Sequence, residues 1–260
     1  MLVLFFALTS FAKNPLKPTE ALNYDPNFTH VARLYKQFVV VTKEHHTQVK
    51  YSEIKSNPEQ LRAATQSLSD VTDVIYSRMS IDEKTAFYIN AFNVFMIQAV
   101  VDHYPMKKAL DPKAWFSSPL KDKFFTLLGK PQSLDGIRND ILRYEFKNPK
   151  ILFALCEGSV DGPDLNPEPY LGSHIHVQLD DAEKRFMKDP LRASYDGDKK
   201  RFKISKYLKR YNKDFEESYM MLKTYLAKLL ARSPKEQMEM QDQRIVTEFY
   251  EWNDSLNDKP

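Results

Sequence analysis

Residues 80–105 read SIDEKTAFYINAFNVFMIQAVVDHYP, and the fold turns on this stretch. Ser80 and Glu83 have the spacing of a capping box, in which the hydroxyl takes a first-turn N–H and the carboxylate reaches back to the cap. Phe87, Phe92, Phe95, Met96, Ala99 and Val100 then supply a broad apolar face. With apolar residues on nearly every side, such a helix belongs inside a core, and Pro105 stops it. Asn90 and Asn93 sit three apart among these apolar neighbours. A buried amide needs partners for both its oxygen and its nitrogen, so both are expected to bind loop backbone and to support the surrounding loops. His103 lies where an imidazole satisfies terminal carbonyls.

Outward from this helix the periods alternate. Val31, Leu34, Tyr35, Phe38 and Val41 recur at helical spacing, as do Leu61, Ala64, Leu68, Val71 and Ile75. Residues 49–52 and 124–128 read as strands, the latter leading to a turn at Gly129 and Pro131. Residues 133–145 read as a short helix. The run KILFALC (150–156) is continuous, apolar and of strand length, which predicts a strand buried on both faces. Turn residues crowd 157–169. Residues 174–188 are helical or open as a short strand, DGDK (196–199) is a hairpin turn between strands, and 207–230 is helical with one break near Asp214. No repeat or long linker appears. The expectation is one α+β domain over 28–258, with the central helix packed on a small, mostly antiparallel sheet.

Composition bounds the function classes. The chain has 260 residues, 42% hydrophobic and 28% charged, the balance of a globular protein. Its net charge of +3 is too small to point to nucleic acid. Six scattered glycines assemble no phosphate-binding loop. The single cysteine, Cys156, forbids an internal disulfide and a thiolate zinc cluster. Residues 2–12 are almost wholly apolar and are followed by Lys13. A helix of about twelve residues reaches only about 18 Å, short of the ~30 Å hydrocarbon core. The pattern suits a signal peptide over 1–12, with Ser10 and Ala12 before the cut, although no Lys or Arg precedes the apolar run. An uncleaved anchor or a buried N-terminal element is the other reading. A signal implies an exported protein, periplasmic or secreted, with 13–27 as an extended lead-in and no transmembrane segment in the mature chain.

Several motifs together resemble one family. AFYINAFNVFMIQAVVDHYP (86–105), SLDGIRNDILR (133–143) and PKILFALCEGSVDGPDLNPEPY (149–170) are similar in order and wording to the domain of unknown function 547 family. Residues 49–54, 178–180, 211–215 and 255–258 extend the resemblance. The family has no generally established activity. The resemblance implies a papain-like or transglutaminase-like fold, in which a thiol and a histidine attack an amide carbonyl. At the positions that would carry such chemistry this chain departs. The family's Glu-His is Arg138-Asn139, its next histidine is Leu152, its first cysteine is Glu157 and its second is Gly162. The scaffold residues remain while reactive side chains are replaced.

These substitutions favour a non-catalytic family member that binds a small polar ligand, a peptide or a protein partner without a cofactor. Its cleft would be lined by Arg138, Asn139, Leu152, Glu157, Ser159 and Gly162. An arginine binds a carboxylate through two parallel hydrogen bonds, so Arg138, or the amide of Asn139, is expected to reach Glu157 and plug the old site. The alternative is an amide-bond hydrolase or transferase using Cys156 or Glu157. On a strand, Cys156 would share an apolar face with Leu152 and Ala154, where desolvation raises a thiol's pKa. His174 and His176 would present two imidazoles to a metal only if that stretch is a strand, with Asp180 or Asp181 adding an oxygen. His45-His46 reads as a solvated loop pair. Lys206, Lys209, Arg210 and Lys213 read as a solvated helix face, with an anionic surface partner as the sharper alternative.

Overall fold

A computed structural model of the chain describes residues 24–42, 44, 46–109, 120–219 and 222–259. The expected signal peptide (1–12), the lead-in up to residue 23 and His45 lie outside the described residues.

In chain order the elements are α1 (Thr29–Phe38), β1 (Val39–Val41), β2 (Thr47–Val49), α2 (Tyr51–Ser56), α3 (Glu59–Ser69), α4 (Asp73–Arg78) and α5 (Ile81–His103). Next come β3 (Phe125–Leu127), β4 (Lys130–Gln132), a π-wound helix α6 (Gly136–Arg143), a 3-10 segment (Pro149–Ala154) and α7 (Ile175–Lys188). The chain closes with β5 (Ala193–Asp196), β6 (Arg201–Ile204), α8 (Lys206–Arg210), α9 (Asn212–Tyr219), α10 (Leu222–Leu230), α11 (Pro234–Glu239) and β7 (Val246–Phe249). The class is α+β. None of the described helices is long and apolar enough to cross a membrane.

The capping box forms as the spacing requires: Ser80 Oγ accepts from Glu83 N at 3.2 Å, and the Glu83 carboxylate accepts from Ser80 N at 2.8 Å. From Thr85 to Val101 only Gln98 of α5 is not buried, so this helix is the axis of the core. Helices α2, α3, α6 and α7 pack around it. Strands do not join into one sheet. Antiparallel pairs β1–β2 and β3–β4 stand separately, and β5–β6 is antiparallel while β6–β7 is parallel.

The apolar interior falls into two clusters. One surrounds α5 and α1; the other joins Phe186, Phe202, Tyr207, Phe215 and Tyr225. This explains the largest departure from the sequence reading. Residues 150–156 are not a strand: Pro149–Ala154 winds as a 3-10 helix, and Leu155, which follows it, is extended. Asn148 caps it, its Oδ1 accepting from Lys150 N at 3.1 Å, with Pro149 in the first helical position. The run is apolar all round because Ile151 and Ala154 enter the first cluster while Leu152 and Phe153 enter the second. Residues 174–188 take the helical alternative, and the expected break in 207–230 falls at Tyr211, before Asp214.

Candidate functional site

The site lies at the seam between the two apolar clusters. Helix α6 brings Arg138 to it, the extended exit of the 3-10 segment brings Glu157, and the junction of α8 and α9 brings Arg210 and Tyr211. Glu157 has a side chain only 1% exposed, and both its oxygens are occupied. Oε1 accepts from Arg138 Nη1 at 2.6 Å and from the Tyr211 hydroxyl at 3.1 Å; Oε2 accepts from Arg210 Nη1 at 2.7 Å. Arg138 also donates to Asp135. Burial opposes the Arg138 charge, yet Glu157, Tyr211 and Asp135 together hold its pKa above the ordinary value. Burial, and then the Glu157 charge, push the Tyr211 hydroxyl up to about 12, so it acts here as a donor.

Asn139 does not reach Glu157. Its Oδ1 accepts from Arg143 Nη1 at 2.8 Å, and Arg143 forms a two-pronged pair with Asp214 at 2.9 and 2.7 Å. Asn139 and Leu152 instead line an open groove of about 580 Å³ with Arg143, Lys147, Lys213 and Tyr144. The expected cleft is thus divided into a closed ionic cluster at 138 and 157 and an open groove beside it. Ser159 and Gly162 lie elsewhere, with Gly162 N donating to Ser159 O at 3.2 Å. A Cβ at 162 would come 2.8 Å from Ser159 Oγ. Glycine there keeps space for that hydroxyl.

Cys156 is buried next to Glu157 in the chain but takes other partners. Its N–H donates to Asn93 Oδ1 at 2.9 Å, and its sulfur accepts from Asn257 Nδ2 at 3.6 Å. Burial pushes the thiol up to about 12. Four of the five described imidazoles have partners elsewhere: His46 sits between Asp164 and Asp189, His103 contacts the Ala99 carbonyl, His174 the Ser173 hydroxyl and His176 Asp82. His174 and His176 therefore serve separate neighbours on a helix rather than one face of a strand. His46 does lie in a loop, but two carboxylates hold its imidazole, whose side chain is 34% exposed, and the Asp164 hydrogen bond raises its pKa. We expect a thiol-reactive disulfide reagent to leave Cys156 unmodified in the folded protein from pH 6 to 8, and to label it fully once the chain is unfolded. Rapid labelling of the folded chain below pH 7 would contradict this environment.

Asn90 and Asn93 act as expected of buried amides. Asn90 donates to Tyr170 O at 2.7 Å and accepts from Tyr170 N at 2.9 Å; Asn93 donates to Ala154 O at 2.9 Å and accepts from Cys156 N. Each pins one loop to α5. Sequence reasoning missed Arg210, read as part of a solvated face, and gave Tyr211 and Asp135 no role. The one available signal was charge: a carboxylate in an apolar surrounding needs cations, and Arg138 alone reaches just one of its oxygens.

Residues 76–187 match the family model described as Protein of unknown function, DUF547. No curated protein and no solved structure matches the chain.

Proposed function

The chain belongs to the DUF547 family, and from that premise we propose that it is a non-catalytic, ligand-binding member whose ligand carries carboxylates and occupies the groove beside Asn139. The observation that carries this reading is the pairing of a sealed ionic cluster with an open cationic groove. Glu157 has its lone pairs taken by Arg138, Arg210 and Tyr211, so it is neither a free base nor a nucleophile. Cys156 is buried and its thiol is held protonated. Both side chains of the hydrolase alternative are thereby committed to the interior.

The groove has a different character. Arg143, Lys147 and Lys213 line it against one carboxylate, Asp214, and Asp214 is neutralised by Arg143. Exposed Lys147 and Lys213 remain to attract anions, while Asn139, Asn148 and the exposed Tyr144 ring offer hydrogen-bonding and stacking surface.

A fluorescent hexaglutamate peptide is the direct probe. It should bind the full chain with an affinity that falls as salt rises. Reversing both charges, Lys147→Glu with Lys213→Glu, should cost about 1 kcal/mol each, or roughly 30-fold in Kd. The thermal transition should stay where it is, since both side chains are exposed. Absence of binding, or binding indifferent to the double reversal, refutes the proposal.

A further inference from the structure

A second cavity, sharing no lining residue with the groove, opens where the β1–β2 hairpin meets the loop after Glu157 and the turn between α7 and β5. Its volume is about 210 Å³. The wall is unevenly charged. Glu44 comes from the hairpin, Asp161 and Asp164 from the loop and Asp189 from the turn, and against these carboxylates stand Arg192 and the imidazole of His46. His46 therefore sets the balance: uncharged, it leaves the guanidinium as the one lining cation among the described residues.

The two basic groups hold the wall differently. Arg192 is 3% exposed and fixed on several sides. Its Nη1 donates to Asp164 Oδ2 at 2.6 Å, its Nη2 donates to Val160 O at 3.2 Å, and its Nε lies 3.3 Å from Asp189 Oδ2. The guanidinium also sits over the Phe186 ring at 5.0 Å. These contacts tie the loop to the turn, and a guanidinium keeps its charge in proteins at any working pH.

His46 ties the hairpin to both. Its Nδ1 lies 3.3 Å from Asp164 Oδ2 and its Nε2 lies 3.6 Å from Asp189 Oδ2. A neutral imidazole carries one N–H and presents a lone pair on the other nitrogen. Whichever tautomer forms, that lone pair confronts a carboxylate. Only the imidazolium, with a proton on each nitrogen, suits the arrangement. The Asp164 hydrogen bond raises the pKa of His46, and the Asp164 and Asp189 charges add to it, while partial burial and the Arg192 charge oppose it. With the side chain 34% exposed, the proton exchanges with solvent without unfolding.

We propose that His46 is a pH-governed clasp, which holds the β1–β2 hairpin against the other two walls of the cavity while protonated and releases it on deprotonation. Arg192 keeps the loop and the turn joined in both states, so the hairpin is the member that moves. Its end at the cavity is then left with the Thr47 N–H donating to Asp164 Oδ1 at 3.2 Å, while its base stays pinned by Val49 N donating to Asn257 O at 2.9 Å. The direction with pH follows from the raised folded pKa. The clasp's contribution is complete below the unfolded pKa of about 6.5 and is lost as pH rises through the folded value.

Two measurements on the full chain test this. In an NMR titration of ¹³C-labelled histidine from about pH 5.5 to 9, the His46 resonance is the one missing from His46→Gln. Its midpoint should lie above the ordinary value of about 6.5. It should fall on Asp164→Asn, and fall less on Asp189→Asn, whose carboxylate lies farther from the ring. Amide exchange, corrected for its intrinsic pH dependence, reads the hairpin itself. Protection at Thr47 N–H should drop roughly 3- to 10-fold between about pH 6 and 8.5, the effect of losing one partly exposed ion pair. Protection at Val49 N–H should stay level, and in His46→Gln the Thr47 protection should be low and level throughout. A His46 midpoint at or below the ordinary value, Thr47 protection that ignores pH, the same fall in His46→Gln, or an equal fall at Val49 would each overturn the proposal.

Discussion

Glu157→Ala should lower the unfolding free energy by about 3–4 kcal/mol, measured by urea denaturation at neutral pH. Among the described residues, the replaced carboxylate is the one anion that Arg138 and Arg210 share. Arg210 has a side chain 43% exposed and can turn to water, so its loss of a partner costs little. Arg138 cannot: its side chain is 9% exposed, and only Asp135 would remain to it. Glu157→Gln should cost less, about 2 kcal/mol, because the amide oxygen still accepts from Arg138 while its NH₂ group confronts Arg210. The decisive comparison is the cycle of Arg138→Met, Glu157→Met and the double variant. If the cluster is a mutual compensation of two buried charges, the double variant should be more stable than either single one, with a coupling of roughly 2–3 kcal/mol. A Glu157→Ala chain within 1 kcal/mol of the parent, or strictly additive singles, would show that the seam tolerates an unpaired arginine.

The seam also shows which features the residue pattern reveals and which it hides. The capping box and the amide-studded apolar helix are local, and they were legible because a single helix face or turn determines them. The Arg138–Glu157 pair was legible for a different reason: two replaced positions acquired opposite charges, and opposite charges in an apolar setting find each other. Residues 150–156 misled because a continuous apolar run carries no period. It fits a two-faced strand as well as a short helix wedged between two cores. Asn148-Pro149 held the deciding signal, a cap followed by a residue preset for the first helical turn. Arg210 escaped because its neighbours Lys206, Lys209 and Lys213 give a convincing solvated face, and only the tertiary fold distinguishes the member that turns inward.

Asn93→Ala should be about as damaging as the loss of Glu157, by about 3–5 kcal/mol, and for a backbone reason. The Asn93 amide takes the place of a neighbouring strand. It donates to Ala154 O and accepts from Cys156 N, both at 2.9 Å, exactly where the chain leaves its 3-10 turn. Removing it strands a buried carbonyl and a buried N–H, each worth about 1–3 kcal/mol when unpaired, and leaves a void where the amide stood. Asn93→Asp separates the two contacts. An ionised aspartate still accepts from Cys156 N but sets a negative oxygen against the Ala154 carbonyl in a site from which water is excluded. A protonated one donates there as the native amide does. Burial should raise that carboxyl's folded pKa above its unfolded value of about 3.9. The sign follows: the variant's deficit relative to the parent should be smallest near pH 4 and grow as pH rises through the raised folded pKa. Local opening should report the same event at Cys156, whose labelling in Asn93→Ala should become measurable under native conditions while the parent stays closed. A pH-independent deficit in Asn93→Asp, or a thiol equally protected in both chains, would mean that Asn93 fills space at the seam without holding its backbone.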